Sequence, residues 1–228
     1  MNRTNTENRY VQILTTGVLL EGIVSIPEEA RALVVFVHGS GSSRHSPRNQ
    51  YVAQTLQAGG LATLLFDLLT AYEEESDMQN RYLRFDVNLL ARRTAGVLEW
   101  LDLQPYVYGM KKGLFGSSTG AAASLMAAAE LPDQVDAVVS RGGRPDLAGA
   151  ALRDVEAATL LIVGGSDDVV IDLNEQALQH MSADTEKKLV VVPGASHLFE
   201  ESGALEEAAG LARDWFATYL VGAEIPEK

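Results

Sequence analysis

The chain of 228 residues predicts an α/β fold: a mostly parallel central sheet of about eight strands with helices on both faces. Three observations lead there. Short apolar runs alternate with helical stretches along most of the sequence, the pattern of repeated βα units. The run Ala32-Leu33-Val34-Val35-Phe36-Val37-His38 stays apolar up to its last residue, as a strand covered on both faces must. Finally, Gly116-Ser117-Ser118-Thr119-Gly120 follows the run Lys112-Gly113-Leu114-Phe115 and precedes an alanine-rich stretch ending at Ala129, which reads as strand, sharp turn and helix.

Taken in order, alternation from Tyr10 to Ile26 around Gly17 and Gly22 predicts an N-terminal antiparallel hairpin, with its turn near Thr15-Thr16-Gly17 and its end at Pro27. The strand Ala32 to His38 breaks at Gly39-Ser40-Gly41-Ser42-Ser43. A helix is expected near Arg48 to Ala58, a strand at Leu61 to Phe66, and a long amphipathic helix from about Phe85 to Leu101. Beyond the Ser118 turn and its helix come a strand at Val135 to Ser140, a short helix near Leu147 to Asp154, and a strand at Thr159 to Val163. A helix near Leu173 to Met181, N-capped by Asp172, then leads to a strand at Lys188 to Val192 and a last helix from Gly203 to Leu220. No internal repeat or low-complexity linker interrupts this series, so 1–228 is expected to be one domain. Two connections are long, Asp67 to Arg84 and Arg141 to Ala158, and both leave the C-terminal ends of strands, where open α/β sheets bind ligands.

Composition narrows the function. A 46% hydrophobic and 21% charged chain is that of a globular protein, and the net charge of -13 would repel phosphate backbones and anionic membrane surfaces. Neither nucleic acid nor a membrane is expected as a partner. No apolar run approaches the roughly 20 residues of a membrane span, and the first residues lack the apolar core of a signal peptide, which gives a cytoplasmic expectation. With no cysteine there is neither a disulfide framework nor a thiolate nucleophile. The acidic run Glu73-Glu74-Glu75 with Asp77 lacks ligand-like spacing and reads as a solvated loop.

A serine at a glycine-flanked strand-to-helix turn projects its hydroxyl outward, beside the free N–H groups that open a helix. To attack a carbonyl, Ser118 needs a base and a carboxylate that orients the base. Both follow in chain order. Val163-Gly164-Gly165-Ser166-Asp167-Asp168 sets an acidic pair just past one strand, and Val192-Pro193-Gly194-Ala195-Ser196-His197 sets a histidine just past the next. His180 is expected to be exposed and His38 to be structural. The loop His38-Gly39-Ser40-Gly41 would present the Ser40 N–H, with that of Thr119, to an oxyanion. The same loop fails the nucleotide-binding G-x-G-x-x-G because Arg44 stands at the third glycine, and no G-x-x-x-x-G-K is present.

Together, His38-Gly39-Ser40-Gly41, Gly116-x-Ser118-x-Gly120, Gly164-x-x-Asp167-x-x-Val170 and Gly194-x-x-His197 resemble the α/β-hydrolase superfamily, most closely the small proteins grouped with dienelactone hydrolases. The resemblance implies the α/β-hydrolase fold, and it prefers Asp167 over Asp168, because in that family the acid lies between a glycine and a valine at this spacing. One departure stands out: dienelactone hydrolases proper use a cysteine nucleophile, whereas this chain offers Ser118. The reading is therefore a serine hydrolase with Ser118, Asp167 and His197 as the catalytic set and Ser40 and Thr119 as oxyanion donors, needing no metal or cofactor. Lactonase, thioesterase, peptidase and non-catalytic binding roles stay open. The Arg141 to Ala158 connection has no room for a large lid, so small, soluble ester-like substrates are favoured. Arg44, Arg48, Arg141 and Arg144 lie near this edge and either clamp a substrate carboxylate or pair with surface acids; Tyr72, Tyr82 and Phe85 are candidates for lining the pocket.

Overall fold

Alternation along the central strands decides which helices each strand face meets. In the computed structural model, which describes residues 5–222, strand β3 (Ala32–Val37) is buried throughout. Its Leu33, Val35 and Val37 join one core cluster, and its Val34 and Phe36 join the other. The first cluster takes in Leu90, Ala91 and Leu98 of helix α3 (Val87–Asp102) and the small residues Ala122, Ala123 and Ala127 of α4 (Thr119–Glu130). The second is closed by Val52 and Leu56 of α1 (Pro47–Ala58) and by Ala208, Ala212 and Phe216 of α6 (Ala204–Phe216). Phe36 and Phe115 meet within it, ring centroids 4.9 Å apart. Each of these large side chains contributes about 2–3 kcal/mol by leaving water.

The hairpin of β1 (Thr6–Thr15) and β2 (Val18–Pro27) turns at Thr16 and Gly17, both at positive φ (47° and 78°), which suits the twist of paired strands. Together with β4 (Ala62–Phe66), β5 (Lys111–Ser117), β6 (Ala137–Arg141), β7 (Ala158–Gly164) and β8 (Lys187–Val192) the strands form one eight-stranded sheet. Its order is β1-β2-β4-β3-β5-β6-β7-β8, antiparallel from β1 to β4 and parallel from β4 to β8. This is the α/β-hydrolase arrangement. All C-terminal ends of the parallel strands therefore open onto one edge, and the loops after β3, β4, β5, β6, β7 and β8 gather there.

Three elements differ from the sequence expectation. The acidic run is not a solvated loop: Ala71–Asn80 forms helix α2, because Thr70 and Glu73 make a reciprocal capping box. Helix α5 (Asp168–His180) begins ahead of Asp172, which lies inside it, so Asp172 is not the N-cap; the chain turns helical immediately after Asp167. The short helix before β7 is a 3-10 segment, Pro145–Asp154, broken at Gly149 (φ 56°). That segment is the one helical element between β6 and β7, and among the described residues no lid covers the edge. Among the described residues no helix is long and apolar enough to cross a membrane.

Candidate active site

Ser118 sits between β5 and α4 with φ 51° and ψ -125°, a conformation L-residues rarely adopt. Such strain costs of order 1–3 kcal/mol and persists only where surrounding contacts fix it. Here the Ala121 and Arg144 N–H groups both donate to the Ser118 carbonyl oxygen, at 3.1 and 3.0 Å. The flanking glycines are needed for close approach. A Cβ on Gly120 would lie 2.1 Å from the Val37 carbonyl oxygen, and one on Gly116 would lie 2.5 Å from Ala121 Cα. The turn thus folds back against the end of β3, which leaves the Ser118 side chain half-buried at the sheet edge.

Asp167 and His197 come from different loops that the backbone ties together. Gly165 N–H donates to Val192 O at 2.8 Å, and Ser166 N–H to Ala195 O at 2.9 Å. This brings Asp167 Oδ2 to 2.7 Å from His197 Nδ1, with the carboxylate more shielded (18% exposed) than the imidazole (40%). Asp168, by contrast, is the exposed first residue of α5. The Asp167–His197 bond directs Nε2 of the ring, the nitrogen a proton transfer would use, away from the carboxylate. Ser118 and His197 line one cavity.

The predicted oxyanion loop meets the serine turn directly: the Ser40 N–H donates to Thr119 Oγ1 at 3.1 Å. Behind it His38 is buried, its Nδ1 2.9 Å from Gly39 O and its Nε2 accepting from the Leu68 N–H at 3.1 Å. Since Nε2 accepts, the proton resides on Nδ1 and donates to Gly39 O. Burial lowers the His38 pKa from 6.5, against smaller opposing effects of the Gly39 carbonyl and Asp67. His38 is therefore structural, as its strand-end position implied.

The cavity at Ser118 measures about 240 Å³ and is lined by Ser40, Arg48, Asn49, Arg141, Gly142 and Leu198 among others. A wider groove of about 910 Å³ adjoins it, sharing Ser40, Ser42 and Arg48 and walled by Glu74, Glu75, Met78 and Arg84. Tyr72, Tyr82 and Phe85 line neither space; they are 82%, 77% and 55% exposed. Three of the four arginines pair with acids: Arg44 with Asp67 and Glu21, Arg48 with Glu200, Arg144 with Asp146. Arg141 does not. It is the last residue of β6 rather than a loop residue, and its side chain is buried. Asn49, a buried polar residue on α1 that lines the same cavity, carries no motif that would single it out in the sequence. Among the described residues no group of three or more His, Asp and Glu side chains is placed to hold a metal.

Two Mycobacterium tuberculosis proteins, from strains CDC 1551 and H37Rv and bearing the name of a phosphoribosyl transferase, are each 54% identical over 212 residues, or 93% of this chain. The chain spans only 46% of their length. The crystal structure of a dienelactone hydrolase from Anabaena variabilis superposes with a TM-score of 0.92 at 55% identity, covering 94% of this chain and 99% of that one. Est1E from Butyrivibrio proteoclasticus shares the fold (TM-score 0.76, 93% and 99% covered) at 16% identity. The sequence model of the dienelactone hydrolase family matches residues 20–220, from β2 through the Ser118 turn and both loops of the Asp167–His197 pair to the last helix, and the chain belongs to that family.

Proposed function

We propose that this protein is a serine hydrolase that cleaves a small, soluble ester or related acyl bond through an acyl-enzyme. One observation carries the reading: a strained serine, Ser118, shares a cavity with His197, whose Nδ1 is 2.7 Å from the Asp167 carboxylate. His197 would take the Ser118 proton as the hydroxyl attacks, then return it to the leaving group. Asp167 would hold the imidazole in one tautomer and stabilise its cation. The Ser40 and Thr119 N–H groups would receive the carbonyl oxygen as it becomes an oxyanion, the Ser40 N–H exchanging its bond to Thr119 Oγ1 for one to that oxygen. Water then attacks the acyl-serine, again with His197 as base.

Family membership supports hydrolysis; the serine at the nucleophile position supports an acyl-enzyme formed on oxygen. Purified protein and a Ser118→Ala variant should be treated with a fluorophosphonate probe and short-chain 4-nitrophenyl esters. Labelling and turnover in the wild type, with labelling abolished and kcat reduced at least about 10³-fold in the variant, is the expected result. A wild type that neither labels nor turns over these esters would rule the mechanism out.

A further inference from the structure

Asn174 is fully buried on α5 and lines neither space beside Ser118, yet it keeps a polar amide where an apolar side chain of the same branched shape would pack. Its Nδ2 donates to the Val170 carbonyl oxygen at 2.7 Å and to the Gly143 carbonyl oxygen at 3.0 Å. Its Oδ1 has no partner among the described residues. A buried acceptor without a partner is costly, and what the amide gains in return is the two bonds of its Nδ2. The Val170 oxygen lies one turn back on the same helix. The Gly143 oxygen belongs to another element, the loop that follows β6.

That loop meets both the serine turn and the histidine loop. The Arg144 N–H donates to the Ser118 carbonyl oxygen at 3.0 Å. Gly142, at φ 50°, lies so close to the histidine loop that a Cβ there would stand 2.9 Å from His197 O and 3.7 Å from His197 Nδ1. Gly143 between them is wedged against β6 and α4, where a Cβ would meet Ser140 Oγ at 1.9 Å and Ala121 Cβ at 2.5 Å. Asn174 adds the acid to this set: α5 begins immediately after Asp167, and Asn174 follows about two helical turns on, along the same side of the helix. The Asp167–His197 pair is tied together by the Gly165 and Ser166 bonds to Val192 and Ala195. Those bonds leave open the distance from the pair to Ser118, which stands on a different turn.

We propose that Asn174 is a positioning residue that sets this distance: by clamping the Gly143 carbonyl to α5 it holds the 142–144 loop, and through the Arg144 N–H the Ser118 turn, in register with the Asp167–His197 pair. This rests on the serine-hydrolase reading for the reaction, but the clamp itself does not require it. The strained Ser118 backbone persists only where contacts fix it, and one of the two bonds on its carbonyl oxygen comes from this loop. Misplacing a reacting group by about 1 Å costs on the order of 100-fold in rate. One amide outside the substrate cavity thus controls turnover without touching substrate.

The test uses Asn174→Leu, which keeps the branched shape and loses both bonds, and Asn174→Ser, whose hydroxyl still reaches the Val170 carbonyl one turn back but is too short for Gly143. Glu175→Ala, at an exposed neighbour on α5, is the control and should behave as wild type. Each protein is compared with wild type for its rate of fluorophosphonate labelling and for kcat and KM on 4-nitrophenyl acetate. Both Asn174 variants should label and turn over about 10- to 100-fold more slowly, with KM within about two-fold of wild type, as lost alignment rather than lost binding requires. The low-field proton resonance of the His197 Nδ1–H bonded to Asp167 should persist in both, since that pair has its own backbone ties, while the Arg144 N–H should exchange with solvent faster. A residue that merely braces α5 would loosen Asp167 instead. Loss of the His197 resonance, or wild-type labelling rates in either Asn174 variant, would therefore overturn the proposal. A wild type that does not label removes the serine mechanism, and Arg144 exchange then decides the clamp: faster exchange in the variants keeps it, unchanged exchange dismisses it. If Asn174→Leu does not fold, Asn174→Ser carries the same comparison.

Discussion

His38 holds the oxyanion loop through one tautomer, with a backbone N–H on one ring nitrogen and a backbone carbonyl on the other. Burial disfavours the charged ring, and more strongly than the Gly39 carbonyl and Asp67 favour it, so the folded protein resists protonation and the His38 pKa lies below 6.5. The sign follows. Below pH 6.5 the unfolded chain takes up a proton that the folded one excludes, so the His38 contribution is whole above pH 6.5 and is lost as pH falls toward the folded pKa. The expected slope is about 1.4 kcal/mol per pH unit from this one group. Urea unfolding at pH 7.5, 6.5 and 5.5 should show it, and Arg44→Gln, which leaves both ring contacts in place, should keep the same slope. His38→Gln should flatten it; an unchanged slope would mean that His38 is not the group responsible. Residue types and loop positions made Ser118, Asp167 and His197 legible in the sequence, because glycines beside strand ends mark where backbone approaches closely. The isolation of Arg141 was not legible. Whether a charged side chain finds a partner depends on contacts between elements, and four arginines that look alike along the chain end in different surroundings.

At the scale of elements, the buried parallel strands were readable because each is a continuous apolar run, and α3 because its apolar stripe repeats at the helical period. Helix α2 was not, since Asp77 is its one buried residue and its composition resembles a solvated loop. What forms it is local: the Thr70 hydroxyl accepts from the Glu73 N–H, while the Glu73 carboxylate accepts from the Thr70 N–H at 2.8 Å. The same carboxylate takes a two-pronged bond from buried Arg93, at 2.9 and 2.6 Å. Glu73 thereby couples the cap of α2 to α3, and α2 forms one wall of the groove beside the site. Thr70→Ala should cost about 1 kcal/mol, the worth of a cap. Glu73→Ala should cost more, about 2 kcal/mol, because it leaves Arg93 buried without its carboxylate, discounted from the fully buried case since Glu73 is partly exposed. Chemical denaturation of both variants and the double variant checks this: with shared hydrogen bonds the double should lose less than the sum. Strict additivity would mean that the cap and the Arg93 bond act separately.

For the molecule as a whole, the parallel sheet brings six loops to one edge, and what covers that edge sets which substrates fit. Between β6 and β7 there is only the 3-10 segment Pro145–Asp154, so the apolar roof that a long acyl chain needs is lacking. The groove that could receive such a chain is polar where α2 walls it, with Glu74 and Glu75 beside Arg84. Burial first, and the nearby Asp67 second, raise the Glu74 pKa, while Arg84 and Arg44 oppose the rise. Each methylene that stays in water forfeits the roughly 0.8 kcal/mol that burial would return. Lengthening a neutral acyl chain beyond about four to six carbons should therefore bring no rise in kcat/KM, whereas an enclosed apolar site would gain several-fold per methylene over that range. A series of 4-nitrophenyl esters from acetate to decanoate reads this out directly. A steady climb to decanoate would show that the edge closes over its substrate and that the polar groove is not where the acyl chain lies.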